Sequence, residues 1–108
     1  MTDTQTVASV MQEMESKFKA DKAAGIDATF QFDITGDGGG KWNAKINDGT
    51  VAFHEGEADS PTVRIISLDE DWIKIVNGQL NPQMAFMTGK IKVQGDLGLA
   101  TKLGTLFL

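Results

Sequence analysis

Apolar residues recur along this chain in two rhythms, and the changes between them mark its elements. Val7, Val10, Met11, Met14 and Phe18 return at spacings of three and four, while Gln12, Glu13, Glu15, Lys17, Lys19 and Lys22 fill the opposite arc. This is the period of an amphipathic helix, expected to run about four turns and to stop near Gly25. Its acidic-then-basic order suits the helix dipole. From Thr29 the period becomes two: Phe30, Phe32 and Ile34 alternate with Thr29, Gln31, Asp33 and Thr35, which predicts a strand with one buried face. The run Gly36 to Gly40 turns the chain, and Trp42, Ala44 and Ile46 then alternate with Lys41, Asn43 and Lys45. Asn47-Asp48-Gly49 is a second tight-turn signal before Val51 and Phe53, so three successive strands are expected to pair antiparallel.

Pro61 opens a fourth run, Thr62 to Ile66, with Val63 and Ile65 on one face and Arg64 and Ile66 on the other. Ser67-Leu68-Asp69-Glu70 has the spacing of a capping box, with acids where a helix N-terminus favours them. The helix it opens carries Leu68, Trp72, Ile75 and Val76 on its apolar face and ends at Asn77-Gly78. Asn81 caps a second short helix with Pro82 at its first position, and Gly89 ends it after about two turns. Ile91 and Val93 alternate with Lys90, Lys92 and Gln94 in a fifth strand. Gly95-Asp96 then leads into a final helix in which Leu99, Leu103, Leu106 and Phe107 form one stripe.

At 108 residues, with 41% apolar and 23% charged, the chain suits one folded domain, residues 1–108, and not a disordered segment. A net charge of −5, a pI near 4.6 and a single arginine, Arg64, argue against nucleic acid, which is bound through clustered Lys and Arg. No cysteine is present, so disulfides, thiol catalysis and thiolate metal sites are excluded, in keeping with a reducing compartment. No stretch approaches the ~20 apolar residues of a membrane span. Met1-Thr2-Asp3-Thr4 lacks the basic and apolar regions of a signal peptide, and a cytoplasmic location is expected.

The ungapped series Asn81-Pro82-Gln83, Ala85-Phe86, Gly89-Lys90, Lys92, Gly95, Gly98-Leu99-Ala100 and Lys102-Leu103 resembles the sterol carrier protein 2 lipid-binding family, and the upstream order of elements fits from about Thr6 onward. The resemblance implies an α+β (mixed α/β) fold: a five-stranded, mostly antiparallel sheet covered on one face by helices, with an apolar tunnel between them. It further implies a lipid ligand such as a fatty acid, acyl-CoA, sterol-like molecule or isoprenoid, with no catalysis and no cofactor. The alternative is an accessory subunit that presents a lipid, such as a quinone precursor, to a partner enzyme. Transient membrane contact is compatible with either reading, and the oligomeric state is not legible.

Single residues with chemical potential are few. His54, the one histidine, is expected on the solvated face of the third strand, and no nucleophile-elbow sequence accompanies it. One histidine makes no histidine-rich metal site, and Asp69, Glu70 and Asp71 are explained by helix capping. The glycines at 36 to 40 join two strands, whereas a phosphate loop joins a strand to a helix, so they read as a turn. Arg64 is expected at the exposed surface.

The second half is rich in large apolar side chains: Trp72, Ile75, Met84, Phe86, Met87, Leu99, Leu103, Leu106 and Phe107 among them. Taken alone this describes a solid core; the resemblance turns it toward a tunnel, walled on the sheet side by Phe30, Phe32, Trp42 and Ile65. Met84 and Met87 are flexible enough to suit varied apolar shapes. Gly98 and Gly104 each cost about 1 kcal/mol in a helix interior, so the last helix is expected to be weak and to act as a lid. Truncation after Asp96 is then expected to reduce lipid binding more than it perturbs the sheet.

Overall fold

The nine residues of β1 (Asp27–Thr35) form the longest strand, and the sheet is built outward from it. The computed structural model describes residues 6–107; Met1-Thr2-Asp3-Thr4 and Leu108 lie outside the described residues. Beside β1 lie β2 (Gly40–Asn47) and then β3 (Thr50–Glu55), the antiparallel meander expected from the turn signals. On the other flank β4 (Val63–Leu68) pairs parallel with β1, and β5 (Ile91–Gly95) pairs antiparallel with β4, giving the order β3-β2-β1-β4-β5. Register sets the two faces. Phe32 stands opposite Trp42 and Ile65, and Phe30 opposite Ala44 and Val63, so these side chains share one face. Onto it pack helices α1 (Val7–Ser16), α2 (Asp69–Val76), α3 (Pro82–Met87), α4 (Leu97–Ala100) and α5 (Leu103–Phe107). This is the expected α+β class.

Helix α1 buries Val7, Val10, Met11 and Met14 as its period requires, but it ends at Ser16, earlier than expected. Phe18 leaves the helix to pack against Phe107, with ring centroids 5.5 Å apart, and the Lys19 N–H donates to the Leu106 carbonyl at 2.9 Å. A tertiary partnership has replaced the last helical turns. A 3-10 turn, Ala20–Ala23, follows. Gly25 ends that turn and not the helix, in a left-handed conformation with its N–H donating to Asp48 Oδ1 at 2.8 Å.

The capping box expected at Ser67 does not form. Ser67 stays in β4, and Leu68 occupies the cap position of α2 without a side-chain bond. Asp69 does a different job: its Oδ2 accepts from the Gly38 N–H at 2.9 Å, and its Oδ1 from the Glu70 N–H at 2.8 Å. Gly36, at φ +99°, leaves the room this requires, because a Cβ there would collide with the Asp69 carboxylate. The glycine run is a hairpin turn latched to a helix start. Helix α3 follows expectation, with Asn81 Oδ1 accepting from the Gln83 and Met84 N–H groups and Pro82 at the first position. The expected final helix is two pieces. Thr101 breaks it, its hydroxyl donating back to the Gly98 carbonyl at 2.7 Å, and the glycines on either side lower the local helix preference. The apolar stripe survives the break: Leu99, Leu103, Leu106 and Phe107 are all buried.

The opposite face of the sheet is polar and strapped. The connection from β3 to β4, residues 56–62, crosses it, and the fully buried Gln31 accepts from the Ala58 N–H at 2.8 Å. Arg64 is half-buried here and not free at the surface as expected: it pairs with Asp33 and donates to Glu57 at 3.2 Å. Lys41 reaches the same Glu57 at 3.0 Å. Hydrogen bonds from Lys41 and then Arg64 hold the Glu57 carboxyl below its ordinary value of 4.5. A depressed folded-state pKa contributes stability that is present above 4.5 and lost as pH falls through the folded value. Thermal unfolding followed across pH should therefore find Glu57→Gln less stable than the wild type at neutral pH, with the gap closing in acid below pH 4.5. Parallel curves for the two proteins would show that the strap draws nothing from this charge.

Candidate functional site

The helices do not cover the sheet evenly. Over β1 to β3 they leave a groove of about 330 Å³, whereas over β4 and β5 the layer parts into a larger cleft of about 790 Å³. Its floor is Ile65 of β4 with Ile91 and Val93 of β5, three residues that register places on the helix-facing side. One wall is α3, through Asn81, Pro82, Gln83, Phe86 and Met87; the other is the α4–α5 pair, through Leu97, Ala100, Thr101, Leu103, Gly104 and Thr105. The walls follow from local sequence: the Asn81-Pro82 start fixes where α3 begins, and Asp96 Oδ1 fixes α4 by accepting from the Leu99 N–H at 3.0 Å.

None of the side chains lining this cleft is ionisable. Of its polar groups, Asn81 is committed to the α3 cap and Thr101 to the Gly98 carbonyl. The shifted pKa values belong to Glu57 and Arg64, the latter raised by its hydrogen bond to Asp33 and then by Glu57, on the other face of the sheet. A cleft of this size and lining can take an apolar chain by removing it from water, and its lining carries no carboxylate, imidazole or amine. Among the described residues no group of three or more His, Asp or Glu side chains is placed to hold a metal ion.

The residues singled out from the sequence are distributed as follows. Ile65, Phe86, Met87 and Leu103 line the cleft. Phe30, Phe32, Trp72, Ile75, Leu106 and Phe107 are buried in the core beneath the helical layer, and Leu99 is buried on the inner side of α4. Met84 is exposed on α3, outside the lining. Trp42 faces a separate, smaller groove of about 330 Å³ between α1 and the β2–β3 hairpin, together with Met11, Phe53 and Glu55. Sequence reasoning passed over Val93, Ile91, Ala100 and Gly104. The signal was available: Ile91 and Val93 alternate onto the face of Ile65, and Ala100 and Gly104 are small residues four apart, the spacing that leaves space beside a helix.

The lid expectation changes in one respect. Leu106 and Phe107 plug the core, so truncation after Asp96 would remove buried side chains and not a detachable cover. Phe107→Ala is expected to cost about 3 kcal/mol or more in a urea unfolding curve, the range for a buried aromatic.

An α+β domain with an open, uncharged apolar cleft between sheet and short helices is a carrier of hydrophobic ligands. The chain belongs to the SCP-2 sterol transfer family, whose pattern it matches over residues 9–108. Members of this family are lipid-binding and lipid-transfer domains, and the domain fold is non-catalytic. The chain is 31% identical over 102 residues, 94% of its length, to hydroxysteroid dehydrogenase-like protein 2 of Xenopus tropicalis, of which it spans 24%. The solution structure of palmitated SCP2L2 from Aedes aegypti superposes with a TM-score of 0.78 at 25% identity, covering 92% of this chain and 91% of that one. A double mutant of the sec-alkyl sulfatase PisA1 shares the fold at a TM-score of 0.83 and 18% identity, with 95% of this chain matching 16% of that one. No helix among the described residues is long and apolar enough to cross a membrane.

Proposed function

We propose that this domain holds the acyl or isoprenoid chain of a single lipid in the cleft over β4 and β5 and hands it on unaltered, in the cytoplasm. The observation that carries the reading is the cleft itself: about 790 Å³ of space with no ionisable lining residue. At about 0.8 kcal/mol per buried methylene, a long chain would be retained with few polar contacts, and selection among chains would be loose. The palmitated state of a 25% identical relative that matches along nearly its whole length supports a fatty acid as the first ligand to try. The lipid would contact Ile65, Phe86, Met87 and Leu103, with Ile91, Val93 and Gly104 completing the lining.

A second reading is favoured by one specific observation: the chain spans about a quarter of a relative named for a dehydrogenase. The domain would then present its lipid to an enzyme, joined to it or separate.

Native mass spectrometry of the purified protein with added palmitate tests the first reading. A one-to-one adduct is expected. Absence of an adduct with palmitate, cholesterol and a polyprenol alike would sink it.

Gly104→Phe sharpens the assignment. No atom lies within 4 Å of the position its Cβ would take, the residue lines the cleft, and replacing a helical glycine does not weaken α5. Thermal stability should be equal or higher while palmitate affinity falls about ten-fold, the effect of two lost methylene contacts. Unchanged affinity would move the ligand elsewhere.

A further inference from the structure

We propose that the groove between α1 and the β2–β3 hairpin is a second binding site, one for a small organic cation of the methylated-ammonium class. It lies over the opposite end of the sheet from the apolar cleft and does not rest on the carrier reading. Its space of about 330 Å³ falls at the small end of the range for ligand pockets. Ala8, Met11, Gln12 and Glu15 recur at the three- and four-residue spacing of one face of α1 and form one side. The hairpin forms the other: register sets Trp42 directly opposite Glu55 and places Phe53 on the same face. The Trp42 indole lies over Gly40, where a Cβ would stand 2.5 Å from its Cζ3, so glycine is what leaves the ring this position. Phe53 stacks on Phe32 and meets Phe107 edge-on, whereas Trp42 takes no part in the ring contacts that bind the core.

Charge and surface select the occupant. Glu15 and Glu55 both line the groove, and among the described residues neither carboxylate joins an ion pair, whereas Glu13 has Lys17 and Glu57 has Lys41 and Arg64. No lysine or arginine lines this space. The strand period turns Lys41 and Lys45 to the far face, where Lys41 is taken by Glu57, and His54 belongs to that far face as well. A half-exposed indole flanked by carboxylates, with no side-chain cation in competition, is an arrangement that attracts ammonium groups. The rest of the lining decides which kind. Ala8, Met11 and Phe53 are apolar and accept no hydrogen bond, so an ammonium covered in methyl groups fits better than one whose N–H donors would be left without partners. Because the ring position is already fixed, little ordering is needed on binding.

The test is a titration of the isotope-labelled full chain with choline at constant ionic strength, followed by nuclear magnetic resonance at the indole N–H signals of Trp42 and Trp72. Trp72 is buried in the core and serves as the internal control. The Trp42 signal should move saturably at millimolar choline while that of Trp72 stays in place. The neutral carbon isostere of choline, with a tert-butyl group where the trimethylammonium stands, should bind about five-fold more weakly. The double variant Glu15→Gln, Glu55→Gln changes two exposed positions, so it should keep the thermal stability of the wild type and lose about five-fold in choline affinity. An unmoved Trp42 signal at tens of millimolar choline would overturn the site. Equal binding of the neutral isostere would overturn the ligand class and leave an apolar crevice. Unchanged choline affinity in the double variant would overturn the part given to the two carboxylates.

Discussion

Phe107 meets the rings of Phe30, Phe32 and Phe53 edge-on, at centroid distances of 5.6, 6.5 and 5.6 Å, and has Phe18 at 5.5 Å on another side. Two strands, β1 and β3, and the two ends of the helical layer are thus drawn together on one side chain. The edge-to-face geometry is the one aromatic quadrupoles favour, and full burial adds the transfer energy of a large ring. Because the C-terminal segment is spent on this end of the sheet, the helical layer has little left with which to cover the other. Only α3, of six residues, and α4, of four, stand over β5. The cleft follows from how the chain distributes its covering material.

The two faces of the sheet solve different problems. On the helix side burial is almost wholly apolar; the one unsatisfied donor among the described buried side chains is the indole N–H of Trp72, which packs on Phe32 at 5.4 Å. Leaving such a donor without a partner costs about 1–3 kcal/mol, and its ring makes up the difference through contact area. On the far side the seven-residue crossover strap brings polar partners to polar strand residues: Ala58 to Gln31, Glu57 to Arg64 and Lys41. Each buried polar group there is matched. The ionisable network therefore lies on the face away from the cleft, and the space over β4 and β5 stays uncharged.

Legibility followed the range of the interaction. Elements set by local rules were readable: the period-two runs of β1 to β5, the Asn81-Pro82 start of α3 and the acid-rich first turn of α2 all appear where the pattern placed them. Features decided by distant partners were not. The early end of α1 depends on Phe107, nearly the whole chain away, and Asp69 gave up a capping role to hold Gly38, thirty-one residues upstream. The same limit applied to the cleft. An apolar stripe says that a residue is buried, but not whether its neighbour is another side chain or open space. Leu103 and Phe107 carry the same signal; one lines the cleft and the other fills the core. Parallel pairing of β4 with β1, which brings Ile65 beside Phe32 and under the cleft, has no local signature at all.

The cleft walls are built from helices that could not persist alone. Isolated helices shorter than about 12 residues are marginal in water, and α3, α4 and α5 have six, four and five. α3 and α4 are held by caps at Asn81 and Asp96 and by one buried residue each, Ala85 and Leu99, whereas α5 buries Leu103, Leu106 and Phe107. α3 and α4 are therefore the most lightly anchored parts of the cleft wall. The floor is held by ladder hydrogen bonds, β4 being paired on both edges and the edge strand β5 on one. The cleft thus sets a floor of laddered strands under walls of short, capped helices, beside the core under Phe107. That division of labour between long strands and short helices is what a loosely selective carrier of apolar cargo requires.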